Sequence, residues 1–263
     1  MIGRQDHAVG RPGLVDDGGD AFVTELRIER PERRNALDAA HCRDLHAAVD
    51  GAVTDGARVL VLSGEGTAFC AGADLHTVSE HGFLGDLYGL LHRLVDVAVP
   101  VVAAVDGPAI GAGTQLAIAA DLRVASPTAV FGLPTAALGL AVDPWTVRRL
   151  ALLAGGGPAR RMLLACERLD HAAASAAGLV DRDGDLEVAL AWAREMAALA
   201  PLTLAYNKLA LNRLLEGPDP AGDPLADTPP EVAAAFGACW ASDDLVEGRR
   251  AREEKRAPAF KGR

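Results

Sequence analysis

Alternating and continuous apolar runs predict several β-strands in the first half of the chain. Residues 21–29 (AFVTELRIE) alternate apolar and polar side chains, as a half-buried strand does. Residues 58–64 (RVLVLSG) and 100–107 (PVVAAVDG) are short apolar runs, which are typical of strands buried on both faces. Helical spacing of apolar residues follows these strands, from Ala39 to Val53 and over residues 84–96. Strands that alternate with helices predict an α/β fold with short parallel crossovers.

The second half of the chain is predicted to become mostly helical. After the turn GPAIGAG, the segment TQLAIAADL has a helical pattern, and RVASP and AVFGLP are short extended pieces. Helices are predicted at residues 144–153 and 158–166, and the strands stop from about residue 185. Four later segments are also predicted to be helices: WAREMAALA, PLTLAYNKLALNRLL, PPEVAAAFGACWA and DDLVEGRRAREEKR. The mixed charges of residues 249–256 are typical of a solvated helix face, and residues 216–230 are predicted to be a linker.

Composition narrows the possible classes of function. The chain has 263 residues, a formal net charge of −10 and 50% hydrophobic residues, which suffices for a large core. The acidic balance argues against general nucleic-acid binding, and no apolar run approaches the roughly 20 residues of a membrane span. The four cysteines form no C-x-x-C pair, which favours reduced thiols in a cytoplasmic protein over a zinc site or disulfides. Residues 1–20 are polar and glycine-rich, so they are predicted to form a mobile leader.

Two glycine-rich turns carry the candidate chemistry. The first turn, GTAFCAGADL (66–75), and the second turn, GPAIGAGTQL (107–116), each follow an apolar strand, and the second opens a helix. The first N–H groups of a helix have no internal acceptor and lie at its positive end, so they stabilise a polarised oxygen. Two sources of amides that converge on one oxygen would form an oxyanion hole, whereas the alternative is that each turn only needs glycine to bend. A dinucleotide site is disfavoured because the second turn lacks the G-x-G-x-x-G spacing.

Four motifs occur in a fixed order along the chain: RPERRNALD, GTAFCAGADL, GPAIGAGTQLAIAADLRV and EKRAPAFKG. In this order and spacing they resemble the enoyl-CoA hydratase/isomerase family (the crotonase superfamily), and especially its actinobacterial members, over about residues 21–263. The resemblance implies an α/β crotonase (ClpP-like) spiral of ββα units over residues 21–195. It also implies a helical C-terminal region over residues 196–263 that builds trimers, often paired into hexamers. The implied substrate or ligand is an acyl-CoA thioester, with no other cofactor and no metal.

The resemblance also implies roles for individual residues. The main-chain N–H groups of Ala73 and Ala112 would form the oxyanion hole, although glycine is common in the family at the second position. Seven residues of the matching motifs would line the coenzyme A path: Arg33, Arg34, Ala71, Ala73, Asp74, Leu75 and Lys255. For the three cations among them, the alternative is ordinary surface charge. His76, three residues after Ala73, is not expected to titrate in the reaction.

Two positions depart from the family pattern and change the expected reaction. Family hydratases carry two glutamates that handle the attacking water and the proton added at the α carbon. This chain has Gln115 and Thr135 at those positions, and neither side chain takes up a proton at neutral pH. A general acid–base group typically contributes about 10²–10⁴-fold to a rate. We therefore expect hydration of a 2-enoyl-CoA to be weak or absent.

One carboxylate, Asp143, matches an aspartate of some isomerases and dehalogenases in the family. It would serve as the base of an isomerase, and the alternative is that it caps a helix that begins at Pro144. Dehalogenation is disfavoured because few aromatic residues lie near the motifs. Two hypotheses remain: an enzyme that moves a proton on an acyl-CoA with Asp143 as base, and a non-catalytic fatty acyl-CoA-binding protein that delivers its ligand for lipid synthesis.

Overall fold

The computed structural model describes residues 1–8, 22–74, 82–215, 234, 237–238, 240–256 and 258. In these residues the strands are β1 (Ile2–Ala8), β2 (Phe22–Ile28), β3 (Ala57–Gly64), β4 (Val101–Val105), β5 (Pro108–Ile110), β6 (Leu122–Ala125), β7 (Val130–Gly132), β8 (Leu169–Asp170) and β9 (Arg182–Asp183). The helices are α1 (Ala39–Thr54), α2 (Phe83–Asp96), α3 (Ala112–Ala119), α4 (Pro144–Ala154), α5 (Gly156–Leu164), α6 (His171–Ala176), α7 (Leu186–Ala197), α8 (Pro201–Leu215) and α9 (Asp243–Glu253). The predicted helix PPEVAAAFGACWA lies largely outside the described residues.

The strands form two sheets with mostly parallel pairing. The six-stranded sheet has the order β1-β2-β3-β4-β6-β9, and the three-stranded sheet has the order β5-β7-β8. From β2 to β9 every neighbouring pair of the large sheet is parallel, whereas β1 is antiparallel to β2. The predicted parallel crossovers are therefore confirmed, because each parallel pair needs a connection that returns over the sheet.

Apolar layers on both faces of the large sheet explain the continuous apolar runs of its central strands. On one face, Val59, Val61 and Val102 pack against α7. On the other face, Leu60 and Leu62 pack within the larger core, to which α1, α2 and α3 contribute. Because helices cover both faces, β3 and β4 show no polar–apolar alternation.

The prediction of a mobile leader over residues 1–20 is wrong for residues 2–8. Strand β1 pairs antiparallel with β2, with Ile2 opposite Ile28 and Ala8 opposite Phe22. A side-chain hydrogen bond from Thr24 Oγ1 to Asp6 Oδ1, at 2.6 Å, joins the two strands as well. The free main-chain edge of β2 makes this pairing possible, and a polar segment can use it without any apolar pattern of its own. Residues 9–20 lie outside the described part of the chain.

A buried ammonium group fastens α8 to the core. Lys208, 6% exposed, donates to the main-chain oxygens of Leu94 at 2.9 Å and Val99 at 3.0 Å, and it pairs with Asp121 at 2.8 Å. Burial lowers the pKa of Lys208, and the nearby Asp121 carboxylate opposes that shift. Leu94 lies in the last turn of α2, where carbonyl groups have no donor within the helix. The charge of Lys208 therefore satisfies a helix end while it holds α8 in place.

The outer face of α8 is apolar and exposed. Leu202, Tyr206 and Leu209 follow one another at helical spacing and are 85%, 67% and 55% exposed. The predicted boundary between residues 195 and 196 falls inside the last turn of α7. No single described helix has the length and apolar composition to cross a membrane, although the bent pair Leu186–Ala197 and Pro201–Arg213 meets that test jointly.

Candidate functional site

The two glycine-rich turns lie side by side. The first turn is bound on one side to the segment 34–37, where the N–H of Leu37 donates to the oxygen of Gly72 at 2.8 Å. On its other side it is bound to the second turn, where the N–H of Ile110 donates to the oxygen of Cys70 at 2.9 Å. Main-chain hydrogen bonds thus join three segments that are distant in sequence.

Glycine is required where the turns touch. Gly72 has φ +108°, and a Cβ at this position would lie 2.7 Å from the oxygen of Ile110. Gly113 lies in the first turn of α3, and a Cβ there would lie 2.1 Å from the oxygen of Cys70. Side chains at these two positions would push the turns apart, so both glycines set the distance between them.

The N–H groups of Ala73 and Ala112 are left without an acceptor. The oxygen of Gly72 and the N–H of Asp74 both bond to Leu37, so the N–H of Ala73 points to the opposite side of this extended segment, toward the second turn. Ala112 is the first residue of α3, where an N–H has no acceptor within the helix. Within the described residues, neither N–H donates to a protein atom.

Both alanines line one cavity of about 1120 Å³, measured to include its open mouth. Gln115 and Thr135 line the same cavity, so the structure brings together the two positions that the resemblance matches to the glutamates of family hydratases. The remainder of the wall is mainly apolar and includes Phe83, Leu84, Leu87, Ile110, Leu138 and Leu140. In the described part of the chain, no Asp or Glu side chain lines the cavity.

Comparison with known proteins identifies the family. The sequence profile described as Enoyl-CoA hydratase/isomerase matches residues 18–263. The chain belongs to the enoyl-CoA hydratase/isomerase family. The crotonase fold and the actinobacterial affinity predicted from the motifs are confirmed, since similar proteins include mycobacterial members of the family and solved structures that share the fold.

Three matches illustrate the similarity to other members of the enoyl-CoA hydratase/isomerase family. The chain is 44% identical over 241 residues to the probable enoyl-CoA hydratase echA6 of Mycobacterium tuberculosis, covering 91% of this chain and 96% of that protein. It is 37% identical over 250 residues to the 2,3-dehydroadipyl-CoA hydratase of Escherichia coli, with coverage of 92% and 96%. The crystal structure of carnitinyl-CoA hydratase from Mycobacterium avium matches with a TM-score of 0.75 and 31% identity, with coverage of 92% and 95%.

In this member of the enoyl-CoA hydratase/isomerase family, Asp143 lies behind the cavity wall. Its carboxylate is fully buried and caps α4, accepting from the N–H of Thr146 at 3.4 Å and from the hydroxyl of Thr146. The neighbouring Val142 lines the cavity, whereas Asp143 does not. Burial raises the pKa of Asp143, and the bonds from Thr146 and the nearby His92 oppose that shift. The expectation that Asp143 faces the acyl group is therefore corrected: the helix-cap alternative describes its position.

Three arginines stand around the cavity, of which the sequence predicted one. Arg34 lines it as predicted, and Arg168 and Arg252 line it as well. All three side chains are exposed, and none pairs with a carboxylate among the described residues. Arg252 lies in the charged run 249–256, which was predicted to be a solvated helix face, so its contribution to the cavity is a correction. No motif marks Arg168, and only the fold brings it to the cavity.

Of the other residues predicted for the coenzyme A path, some line the cavity and others do not. Ala71 lines the cavity, as does Ala73. Asp74 is 9% exposed and pairs with Arg30 at 3.1 Å, which gives it a structural partner away from the wall. Arg33 and Lys255 are exposed and do not line the cavity in the described part of the chain. Leu75 and His76 lie outside the described residues.

Tyr88 is a polar residue of the wall that the sequence did not indicate. It is 5% exposed and lines the cavity from α2, and its hydroxyl lies near the backbone of Asp143. Burial raises the pKa of Tyr88, so its phenol stays protonated at neutral pH. Cys70, a fully buried residue of the first turn, is kept as a thiol because burial raises its pKa to about 12. A tyrosine in a helical apolar pattern carries no signal that distinguishes a site residue from a core residue.

Proposed function

We propose that the protein binds fatty acyl-CoA thioesters in this cavity and has little or no hydratase activity. The observation that carries this proposal is the wall itself, which holds two free amides but no carboxylate among the described residues. No cofactor other than the coenzyme A thioester is needed for binding. We extend the proposal to a role in which the protein delivers its ligand for lipid synthesis rather than converting it.

The amides of Ala73 and Ala112 supply the contact to the thioester carbonyl. A hydrogen-bond donor aimed at a polarised oxygen is worth more in an apolar cavity than in water, because little solvent screens it. The positive end of the α3 dipole lies at Ala112 and adds to this attraction. The adjacency of the two turns and the apolar wall support the assignment.

The three arginines supply the contact to the phosphates of coenzyme A. Arg34, Arg168 and Arg252 surround the cavity without carboxylate partners in the described residues, although the chain as a whole has a net charge of −10. Guanidinium groups bind phosphate oxygens through paired hydrogen bonds, so a local excess of arginine fits a polyanionic ligand. Lys255, two residues after the end of α9, is proposed to add to the same positive region.

Isomerisation with Asp143 as base is the second candidate. It is favoured by the hydrogen-bonded link from Gln115 in the wall, through Thr146, to Asp143. Against it stands the complete burial of the Asp143 carboxylate behind the wall. An isomerase base must reach the proton that it removes, so this reaction requires the wall between Val142 and Thr146 to move.

The two candidates are separated by binding and turnover measured on the same protein. Titration calorimetry with saturated acyl-CoAs of several lengths tests the pocket, and incubation with 2-enoyl-CoA and 3-enoyl-CoA tests the chemistry. Tight binding without conversion supports the binding protein. Conversion of 3-enoyl-CoA that Asp143→Asn abolishes supports the isomerase, whereas substantial hydration of a 2-enoyl-CoA contradicts both. If none of the acyl-CoAs binds, the proposed function is wrong.

Restoring the two carboxylates is expected to create hydratase activity. The variant Gln115→Glu with Thr135→Glu places two titratable groups in the wall, where each side chain already faces the cavity. We expect hydration of a short 2-enoyl-CoA to rise by about 10² over the unmodified protein, which is the lower end of what one acid–base group supplies. The decrease in absorbance of the enoyl thioester, whose conjugated double bond is lost on hydration, measures the rate. The single variant Thr135→Gln matches the change in size without a carboxylate, and an equal gain in that control would refute the explanation.

We also propose that the protein forms a homotrimer or a dimer of trimers through α8. The exposed row of Leu202, Tyr206 and Leu209 supports an interface, because a contiguous apolar face of this kind is costly in water. The double variant Leu202→Glu with Tyr206→Glu is expected to shift the molar mass in sedimentation equilibrium toward the monomer. Leu164→Glu, at an exposed leucine of α5, is the control and is expected to leave the mass unchanged. A monomeric unmodified protein would refute the proposal.

A further inference from the structure

We propose that Thr146 is a positioning residue that fixes the Gln115 carboxamide so that its oxygen accepts a hydrogen bond from the ligand. The cavity then prefers acyl thioesters that carry a donor, such as a hydroxyl, on the second or third carbon. This inference rests on the proposed function, since it refines which acyl group the same cavity takes.

The hydrogen-bond chain behind the wall decides which end of the Gln115 amide points inward. Gln115 Nε2 donates to Thr146 Oγ1 at 2.8 Å, and the hydroxyl of Thr146 donates to Asp143 Oδ1. A threonine hydroxyl has one hydrogen, and the second carboxylate oxygen of Asp143, Oδ2, accepts the main-chain N–H of the same threonine. Because Thr146 gives its hydrogen to Asp143, its oxygen can only accept from Gln115. The amide nitrogen of Gln115 therefore faces Thr146, and the carboxamide oxygen points away from Thr146.

The carboxamide oxygen of Gln115 is left for the cavity. Gln115 is 4% exposed and lines the cavity, so the little surface it has opens there. Among the described residues, the single hydrogen bond of the Gln115 side chain is the one that its Nε2 donates to Thr146. A ligand that fills the cavity displaces water from this oxygen. If the ligand brings no donor, a buried acceptor remains unsatisfied, and such a loss opposes binding.

The position of Gln115 on α3 sets where the donor has to be. Gln115 follows Ala112 by three residues, so both lie on the same face of the helix. A helical side chain leans toward the N-terminus, which brings the carboxamide toward the Ala112 amide. With the thioester carbonyl held by that amide, a hydroxyl on the second or third carbon lies nearest to the carboxamide oxygen. A donor far along the acyl chain would meet only the apolar wall, for example Leu84 or Leu87.

The series of hydrogen bonds that orients Gln115 is itself held in place by burial. Thr146 and Asp143 are both fully buried, and the Asp143 carboxylate accepts from both the N–H and the hydroxyl of Thr146. Thr146 does not touch the cavity, so it acts through Gln115 rather than on the ligand. An isosteric change at Thr146 therefore tests orientation without altering the shape of the wall.

The test is a ratio of affinities. Dissociation constants are measured for a 3-hydroxyacyl-CoA, a 2-hydroxyacyl-CoA and the saturated acyl-CoA of equal length, and the readout is each hydroxyacyl affinity divided by the saturated one. We expect a ratio of about ten for at least one hydroxyacyl-CoA in the unmodified protein, the effect of one buried hydrogen bond. Gln115→Leu and Thr146→Val are expected to bring that ratio to about one. Thr146→Ser keeps the hydroxyl and is expected to retain it.

Each outcome bears on one of the two proposals. If the saturated acyl-CoA binds and both ratios are already one in the unmodified protein, this inference is wrong and the proposed function stands. If none of the three thioesters binds, the proposed function is wrong. A ratio that persists in Gln115→Leu shows that another group accepts the hydroxyl and overturns the inference. If Thr146→Val is found unfolded by circular dichroism, Gln115→Leu alone still decides the role of the acceptor, and Thr146→Ser tests the hydroxyl.

Discussion

Replacing Ala112 with proline is expected to remove the preference of the protein for a thioester over a thioether of coenzyme A. Proline lacks the N–H that is proposed to hold the carbonyl, and it fits the first position of a helix without breaking any helical hydrogen bond. Gly111, which precedes it, has φ 56° and ψ −119°, and because glycine has no Cβ it leaves room for the proline ring. The change therefore deletes one donor and leaves the course of the chain intact.

The expected size follows from one hydrogen bond between a main-chain N–H and a neutral carbonyl in an apolar cavity. We expect the affinity for a saturated acyl-CoA to fall about tenfold or more, and the affinity for the matching S-alkyl-CoA thioether to change far less. Calorimetric titration of both ligands gives the ratio. Ala112→Gly keeps the N–H and serves as the control. A thioester-to-thioether ratio in the proline variant equal to that of the unmodified protein would show that this amide does not bind the carbonyl.

Replacing Gly113 with alanine is expected to destabilise the fold and separate the two turns. The new Cβ would lie 2.1 Å from the oxygen of Cys70, a main-chain atom that already accepts the N–H of Ile110. Backbone cannot move aside as a flexible side chain does, so we expect a loss of about 3 kcal/mol in the free energy of unfolding. Because the contact lies between the turns, acyl-CoA affinity should fall as well.

A matched glycine in α2 serves as the control that separates the steric contact at position 113 from the general effect of replacing a helical glycine. Gly85 is also helical, and a Cβ there would meet no atom within 4 Å. Gly85→Ala is therefore expected to stabilise the protein by up to about 1 kcal/mol, since alanine is the better helix former. Urea unfolding of both variants measures the difference. If Gly113→Ala were as stable as Gly85→Ala, the turns would not be held at the distance described.

Asp143 shows why the sequence leaves the role of one carboxylate open between two alternatives. The dipeptide Asp-Pro has the same sequence whether the carboxylate caps a helix or faces a ligand. The structure gives the cap, because the carboxylate turns toward the N–H and hydroxyl of Thr146. Rotation about the side-chain bonds of one residue decides between these outcomes, and sequence spacing does not record that rotation.

Arg168 and Arg252 show a different limit. Each lies in a segment whose local pattern is ordinary, and each reaches the cavity only because distant elements fold together. Strand β1 is a further case, since its pairing joins residues 2–8 to residues 22–28 through main-chain groups that every sequence possesses. Predictions from periodicity succeed where buried positions require apolar residues, as in β3 and β4. They fail where the contacts between segments are made by main-chain groups or by exposed side chains.

The amino-acid sequence is enough to predict the alternation of strands and helices and the two glycine turns, and it shows that positions 115 and 135 hold no glutamate. These are local properties, set by apolar periodicity, by the steric freedom of glycine and by residue identity. The folded structure was needed to show that Ala73 and Ala112 line one cavity, that Asp143 does not line it, and that Gln115 donates to Thr146. Those features depend on how segments far apart in the chain pack together. Burial and main-chain hydrogen bonds hold these segments in place, and no single stretch of sequence encodes their packing.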